Sequence, residues 1–144
     1  MKGKIISVNI SEEKGEKKRN IGSCFLLKDK GLEGDAHAGF MHRQVSLLAM
    51  ESIEKIRAKG LDVKPGDFAE NLTTEGIVLY ELPVGTLLKT SKGISLRVTQ
   101  IGKECHARCA IFQAVGDCVM PREGIFTEVL TEGDVSIGDE LEVV

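Results

Sequence analysis

Two thiols, an imidazole and two cationic side chains fall together in Lys103-Glu104-Cys105-His106-Ala107-Arg108-Cys109. Neighbouring positive charge favours thiolate, the form of cysteine that attacks electrophiles and binds soft metals. Cys105, close to Lys103, His106 and Arg108, is therefore a candidate nucleophile, persulfide carrier or ligand for a thiophilic metal. Cys109 is a second candidate thiol. No Cys-x-x-Cys pair occurs in the chain, so neither a redox dithiol nor a multi-cysteine zinc site is expected. Cys24, followed by Phe25 and Leu26, reads as a small buried hydrophobe, and Cys118 fits either role.

A second stretch with chemical potential is Gly31-Leu32-Glu33-Gly34-Asp35-Ala36-His37-Ala38-Gly39. Its glycines permit left-handed backbone and close approach to a ligand. Asp35, His37 and His42 could together hold zinc or iron and support a zinc-dependent hydrolase. Alternatively Asp35 caps a turn, His37 bonds within a tight loop, and the segment only shapes a pocket. Arg43 follows directly, and its planar fork suits phosphate oxygens, although a solvated strand end would look the same. In Asp67-Phe68-Ala69-Glu70-Asn71-Leu72, polar groups interrupt an apolar run. They either pin a turn or face a ligand.

The elements that must position these groups are mostly strands. Lys4–Asn9, Ser23–Lys28, Arg43–Leu48 and Ile94–Gln100 are rich in β-formers, and Ile94, Leu96 and Val98 share one face. Ser91-Lys92-Gly93 predicts a hairpin turn back to Thr86–Lys89. Met50–Lys59 reads as a helix with Ile53 and Ile56 on one side, Glu51 four residues before Lys55, and Gly60 as the stop. Ala107–Val115 is a weaker helical candidate, and Gly124–Leu130 fits strand or helix. Ser11–Asn20 reads as a charged, solvated loop or hairpin tip. Pro83-Val84-Gly85-Thr86-Leu87-Leu88 is echoed by Ser136-Ile137-Gly138-Asp139-Glu140-Leu141, where a β-branched residue and a glycine introduce a strand. The whole predicts one mainly β domain over residues 1–144, a closed or nearly closed barrel with helical decoration.

Composition narrows the partners. The net charge of −3 and an aromatic set of one Tyr and five Phe argue against nucleic acid. No apolar run is long enough to span a membrane. The N-terminal MKGKIISVNI reads as a first strand, not as a signal peptide, which predicts a cytoplasmic protein with reduced cysteines.

Gly31-Leu32-Glu33-Gly34-Asp35, His42-Arg43-Gln44-Val45-Ser46-Leu47-Leu48 and Phe68-Ala69-Glu70-Asn71-Leu72-Thr73-Thr74 stand in this order along the chain. Val84-Gly85-Thr86, Val98-Thr99-Gln100 leading to Cys105, and Ile137-Gly138-Asp139 complete the series. In this combination the chain resembles the molybdenum cofactor sulfurase C-terminal domain (MOSC) family, in its stand-alone prokaryotic form. The resemblance implies a MOSC-type β-barrel with one or two peripheral helices. It also implies a role in molybdenum cofactor (molybdopterin) chemistry, through a cysteine that carries sulfur or ligates molybdenum.

By position the family cysteine falls on Cys105, with Cys109 a close rival. The cofactor-binding set falls on Gly34, Asp35, His37 and Asn71, with Arg43, Arg97, Lys103 and Arg108 as the cations available for a phosphate, Arg43 and Arg108 foremost. The implied partners are the cofactor itself or the enzymes that build and sulfurate it. Related proteins reduce N-hydroxylated compounds with the help of an additional N-terminal barrel region. That region is not part of this sequence, so the resemblance favours cofactor binding or sulfur carriage over reduction. A non-catalytic module docking on a cofactor-biosynthesis enzyme is the other reading.

Overall fold

The computed structural model describes residues 1–13, 17–36, 38–39, 43–103 and 118–144. The order of elements is β1 (Lys2–Ile10), β2 (Arg19–Asn20), β3 (Ser23–Leu27), β4 (Gly31–Leu32), β5 (Val45–Ala49), α1 (Met50–Arg57) and β6 (Leu72–Glu75). A 3-10 turn at Leu79–Glu81 leads to β7 (Leu87–Thr90) and β8 (Ser95–Ile101). The last described elements are the short helix α2 (Met120–Glu123), β9 (Ile125–Val129), β10 (Gly133–Ser136) and β11 (Glu140–Val143).

Seven strands close into a barrel in the order β1-β6-β5-β9-β8-β7-β11, with β11 pairing back onto β1. Closure leaves no open sheet edge along the ring. Every pairing in it is antiparallel except β5 with β6. That parallel pair needs a crossover, which α1 and the chain after it supply. A small sheet, β10-β3-β4, adds Leu26, Leu32 and Val135 to the apolar barrel interior built on Ile5, Leu47, Leu72 and Leu96. A second apolar layer lies outside the barrel. There α1 sets Ile53 and Ile56 against Leu48, Phe68, Val119 and Phe126. No described helix is long and apolar enough to cross a membrane.

The predicted hairpin forms as expected, with Thr90 N–H bonded to the Ile94 carbonyl at 2.9 Å and β7 paired antiparallel to β8. The helix forms too, but Glu51 and Lys55 do not pair with each other. Glu51 accepts from Gly76 N–H at 2.8 Å and Lys55 reaches Glu123 at 2.9 Å, because tertiary partners outcompete a solvated i,i+4 pair. Gly124–Leu130, open between strand and helix, contains strand β9. Both of its faces are covered, Ile125 and Val129 by the barrel interior and Phe126 by the outer layer, so no period-two signal survives.

Two β-bulges decide which side chains meet. In β1 the register slips between Ile5 and Ser7, so Ile5 and Val8 both reach the interior while Ser7 and Asn9 turn to the opposite face. In β8 the slip lies between Val98 and Gln100. In unbroken alternation Gln100, two residues on, would share the core face of Val98. Thr99 is the extra, bulged residue, so Gln100 takes the next paired position, opposite Phe126 on the outer face.

Candidate functional site

The segment before β5 meets the outer face of β8 and β9 at a rim lined by Gln100 and Phe126. Arg43, the residue two before β5, donates through Nε to Gln100 Oε1 at 3.2 Å. Its guanidinium also lies 5.1 Å from the centre of the Phe126 ring, a cation–π distance. Gln100 completes the set by donating through Nε2 to the Gly102 carbonyl at 2.8 Å. Held by ring and amide, Arg43 is partly exposed, and its terminal amino groups have no partner among the described residues. That is the arrangement of a ready anion contact.

From this rim the chain departs into residues 104–117 and returns. Its two stems are tied together: Gly102 N–H bonds to the Gly124 carbonyl at 2.7 Å and Lys103 N–H to the Pro121 carbonyl at 3.0 Å. Gly102 has φ +70°, and a Cβ there would run into the Pro121 carbonyl, so the tie requires glycine. The returning stem is anchored by Glu123 of α2, whose carboxylate accepts from Ser52 Oγ at 2.7 Å and Lys55 Nζ at 2.9 Å. Cys105, Cys109 and Arg108, and the helix expected at Ala107–Val115, lie outside the described residues. So do His37 and His42.

Behind the rim is a buried polar brace centred on Asn71. Its Oδ1 accepts from Ser46 N–H at 3.0 Å and Ser46 Oγ at 3.2 Å. Its Nδ2 donates to the Asn9 carbonyl at 3.2 Å and to Asp35 Oδ2 at 3.0 Å. All four positions of the amide are thus used within the chain. Asn71 thereby ties β1, the start of β5 and the glycine-rich loop to one point.

Asp35 is the other hub. Its Oδ1 accepts from Lys18 Nζ at 2.6 Å and from Ser11 N–H at 3.0 Å, and the ion pair is buried, with side chains 1% and 0% exposed. Burial pushes the Asp35 carboxyl up, but Lys18, the Ser11 N–H and Asn71 together outweigh it and hold it below the usual carboxylate range. Ser11 and Lys18 correct the expectation of a wholly solvated Ser11–Asn20 loop, since both are buried here. Lys18 N–H bonds to the Gly66 carbonyl at 2.9 Å, and only glycine at 66 leaves room for the Lys18 carbonyl. Sequence reasoning missed Lys18 because it stands in a run of lysines and glutamates, where one buried member looks like its solvated neighbours.

Of the expected site residues, Asp35 and Asn71 are in direct contact, with Gly34 beside them at the exposed turn of the loop. Arg43 precedes β5, the strand whose Ser46 bonds to Asn71. Among the described residues no three His, Cys, Asp or Glu side chains are placed to hold a metal ion. The Asp67–Leu72 run pins the chain: Asp67 accepts from Lys64 N–H at 3.0 Å, and Glu70 and Asn71 are buried.

A closed seven-stranded barrel with a braced glycine-rich loop at its rim defines the class of protein. Its sequence places it further: the MOSC domain pattern matches residues 34–142, and the chain belongs to the MOSC domain family. Among solved structures it is similar to the YuaD protein from Bacillus subtilis, at 21% identity and a TM-score of 0.84, over 99% of this chain and 96% of that one. It is also similar to YiiM from Geobacillus stearothermophilus, at 18% identity and a TM-score of 0.73, over 99% of this chain and 75% of that one. YiiM from Escherichia coli matches at 21% identity and a TM-score of 0.65, over 100% of this chain and 70% of that one. At these identities the likeness establishes the fold alone. No curated protein sequence matches the chain.

Proposed function

We propose that the protein binds the molybdenum cofactor or carries sulfur for it, with Cys105 as thiolate ligand or persulfide carrier and Cys109 as the neighbouring thiol. The observation that carries this reading is the rim itself. The segment bearing both cysteines leaves and returns through stems tied at Gly102–Gly124 and Lys103–Pro121, next to an Arg43 fixed by Gln100 and Phe126.

The donor chemistry suits the group. Thiolate binds molybdenum softly, and Arg43 with Arg108 and Lys103 can meet a pterin phosphate. When bound, the cofactor supplies a molybdenum centre that accepts a thiolate ligand and passes electrons. The chain's own part is positioning: Asn71 and Asp35 hold the Gly34–Ala36 turn against the start of β5, and Gln100 and Phe126 hold the Arg43 guanidinium. In sulfur carriage, the Cys105 thiolate attacks the outer sulfur of a donor persulfide. The donor S–S bond breaks, and the donor leaves as thiolate with the bonding electrons.

The test is molybdenum and pterin content of protein from a cofactor-producing host, wild type beside Cys105→Ser and Cys109→Ser, with intact mass under non-reducing conditions. Molybdenum that disappears in Cys105→Ser supports the ligand form. One added sulfur on Cys105 supports the carrier form. Wild-type protein with neither molybdenum, pterin nor added sulfur overturns both.

A further inference from the structure

Glu70 sits in the layer behind the rim, fully buried and without a charged partner among the described residues. Its Oε2 meets the Thr73 hydroxyl at 2.6 Å, while its Oε1 has no hydrogen-bond partner among the described residues. An unpaired oxygen costs far less on a neutral acid than on a carboxylate that shares a negative charge over both atoms. Among the described residues no charged side chain offsets that charge. β1 contributes Ser7 and Asn9 to this layer and β6 contributes Thr73, while their charged residues Lys2, Lys4 and Glu75 are exposed. Lys18 and Asp35, in the neighbouring segments, are paired with each other. On its own loop Lys64 is exposed and Asp67 is turned onto the Lys64 N–H. Burial accordingly raises the Glu70 carboxyl to about 7, against the pull of the Thr73 hydroxyl and the N–H groups of Gly66, Glu70 and Phe68.

The backbone around it is both strained and consequential. Ala69 has φ 63°, a left-handed conformation that a residue with a Cβ adopts only when its surroundings enforce it. The Glu70 carbonyl accepts from Asn9 Nδ2 at 3.1 Å, and the next residue is Asn71 with its four bonds to β1, β5 and Asp35.

We propose that Glu70 is a positioning residue that works as a proton-operated brace. Neutral, it lets the 64–71 loop pack on β1 and β6 and holds Asn71 on Ser46 and Asp35. Ionised, it loosens that loop and releases Asn71, and with it the start of β5 and the glycine-rich loop. The brace stands on the geometry behind the rim and does not depend on the cofactor reading, so its test uses the ligand-free full chain.

Hydrogen exchange of the Asn71 and Ser46 amides, corrected for the intrinsic pH dependence of exchange, is measured between about pH 6 and 8, together with the infrared band of a protonated carboxylic acid. One unit above the titration point the wild type loses about tenfold in protection at both amides, while the acid band disappears over the same range. Glu70→Gln, a permanent mimic of the neutral acid, has no such band and keeps its protection throughout. Should Glu70→Gln fail to fold, Thr73→Val serves instead. It removes the hydroxyl that favours the charged form and shifts the wild-type midpoint upward. Protection that is flat with pH in the wild type, or a midpoint that Thr73→Val leaves in place, overturns the proposal.

Discussion

Lys18 and Asp35 form an ion pair sealed from water, and the two partners are not equally replaceable. Lys18→Met leaves the Asp35 carboxylate buried without its cationic partner, a loss of about 3–5 kcal/mol. Adding Asp35→Asn removes the stranded charge. The double variant is therefore more stable in urea than Lys18→Met alone, and equal or lower stability would refute the charge argument. Asn71 makes a sharper case. Asn71→Asp is nearly isosteric, yet it replaces the amide that donates to Asp35 Oδ2 at 3.0 Å with a second carboxylate. Like charges that close cannot both ionise, so one carboxyl is pushed up. The variant is therefore tolerated near about pH 4 and damaging near about pH 8, where Asn71→Ala is the milder change. Urea midpoints of the two variants at both pH values check the crossover.

At the scale of elements, the bulges do what single residues cannot. Deleting Thr99 removes the extra residue of the β8 bulge, so Gln100 directly follows Val98 and keeps its place opposite Phe126 on the outer face. The Arg43 guanidinium therefore keeps its amide partner while β8 becomes a regular strand. The expected result is Arg43 and Phe126 side-chain signals in NMR spectra that stay close to those of the wild type. Large changes at both residues would mean that the local twist of the bulge, and not the register of Gln100, sets this contact.

The same elements explain what could be read from the sequence. Ile94, Leu96 and Val98 announced their face because a strand covered on one side keeps its alternation. The phase change two residues later carries no composition signal, so the meeting of Gln100 with Arg43 was invisible. The motif residues Asp35 and Asn71 stood out by type, but their mutual bond depends on loops 36 positions apart. β9 and Lys18 were hidden for opposite reasons, one too uniformly apolar and the other set in a uniformly charged run.

For the whole molecule, two buried carboxyls work against each other as pH changes. Asp35 is held below its usual range, so its contribution is present above about pH 3.8 and is lost as pH falls further. Glu70 is raised from 4.5 to about 7, so its contribution is complete below about pH 4.5 and is lost as pH rises through 7. Between those limits the unfolded chain releases the Glu70 proton while the folded chain keeps it. At 1.36 kcal/mol per unit this lowers stability by about 3 kcal/mol from pH 4.5 to above 7. The two groups together place greatest stability in mildly acidic solution, where Asp35 is charged and Glu70 is neutral. Urea unfolding of the wild type at about pH 5 and 8 shows the decline, and Glu70→Gln, which cannot ionise, flattens it. A wild-type midpoint that is the same at both pH values, or a decline that survives in Glu70→Gln, would place the pH sensitivity elsewhere in the chain.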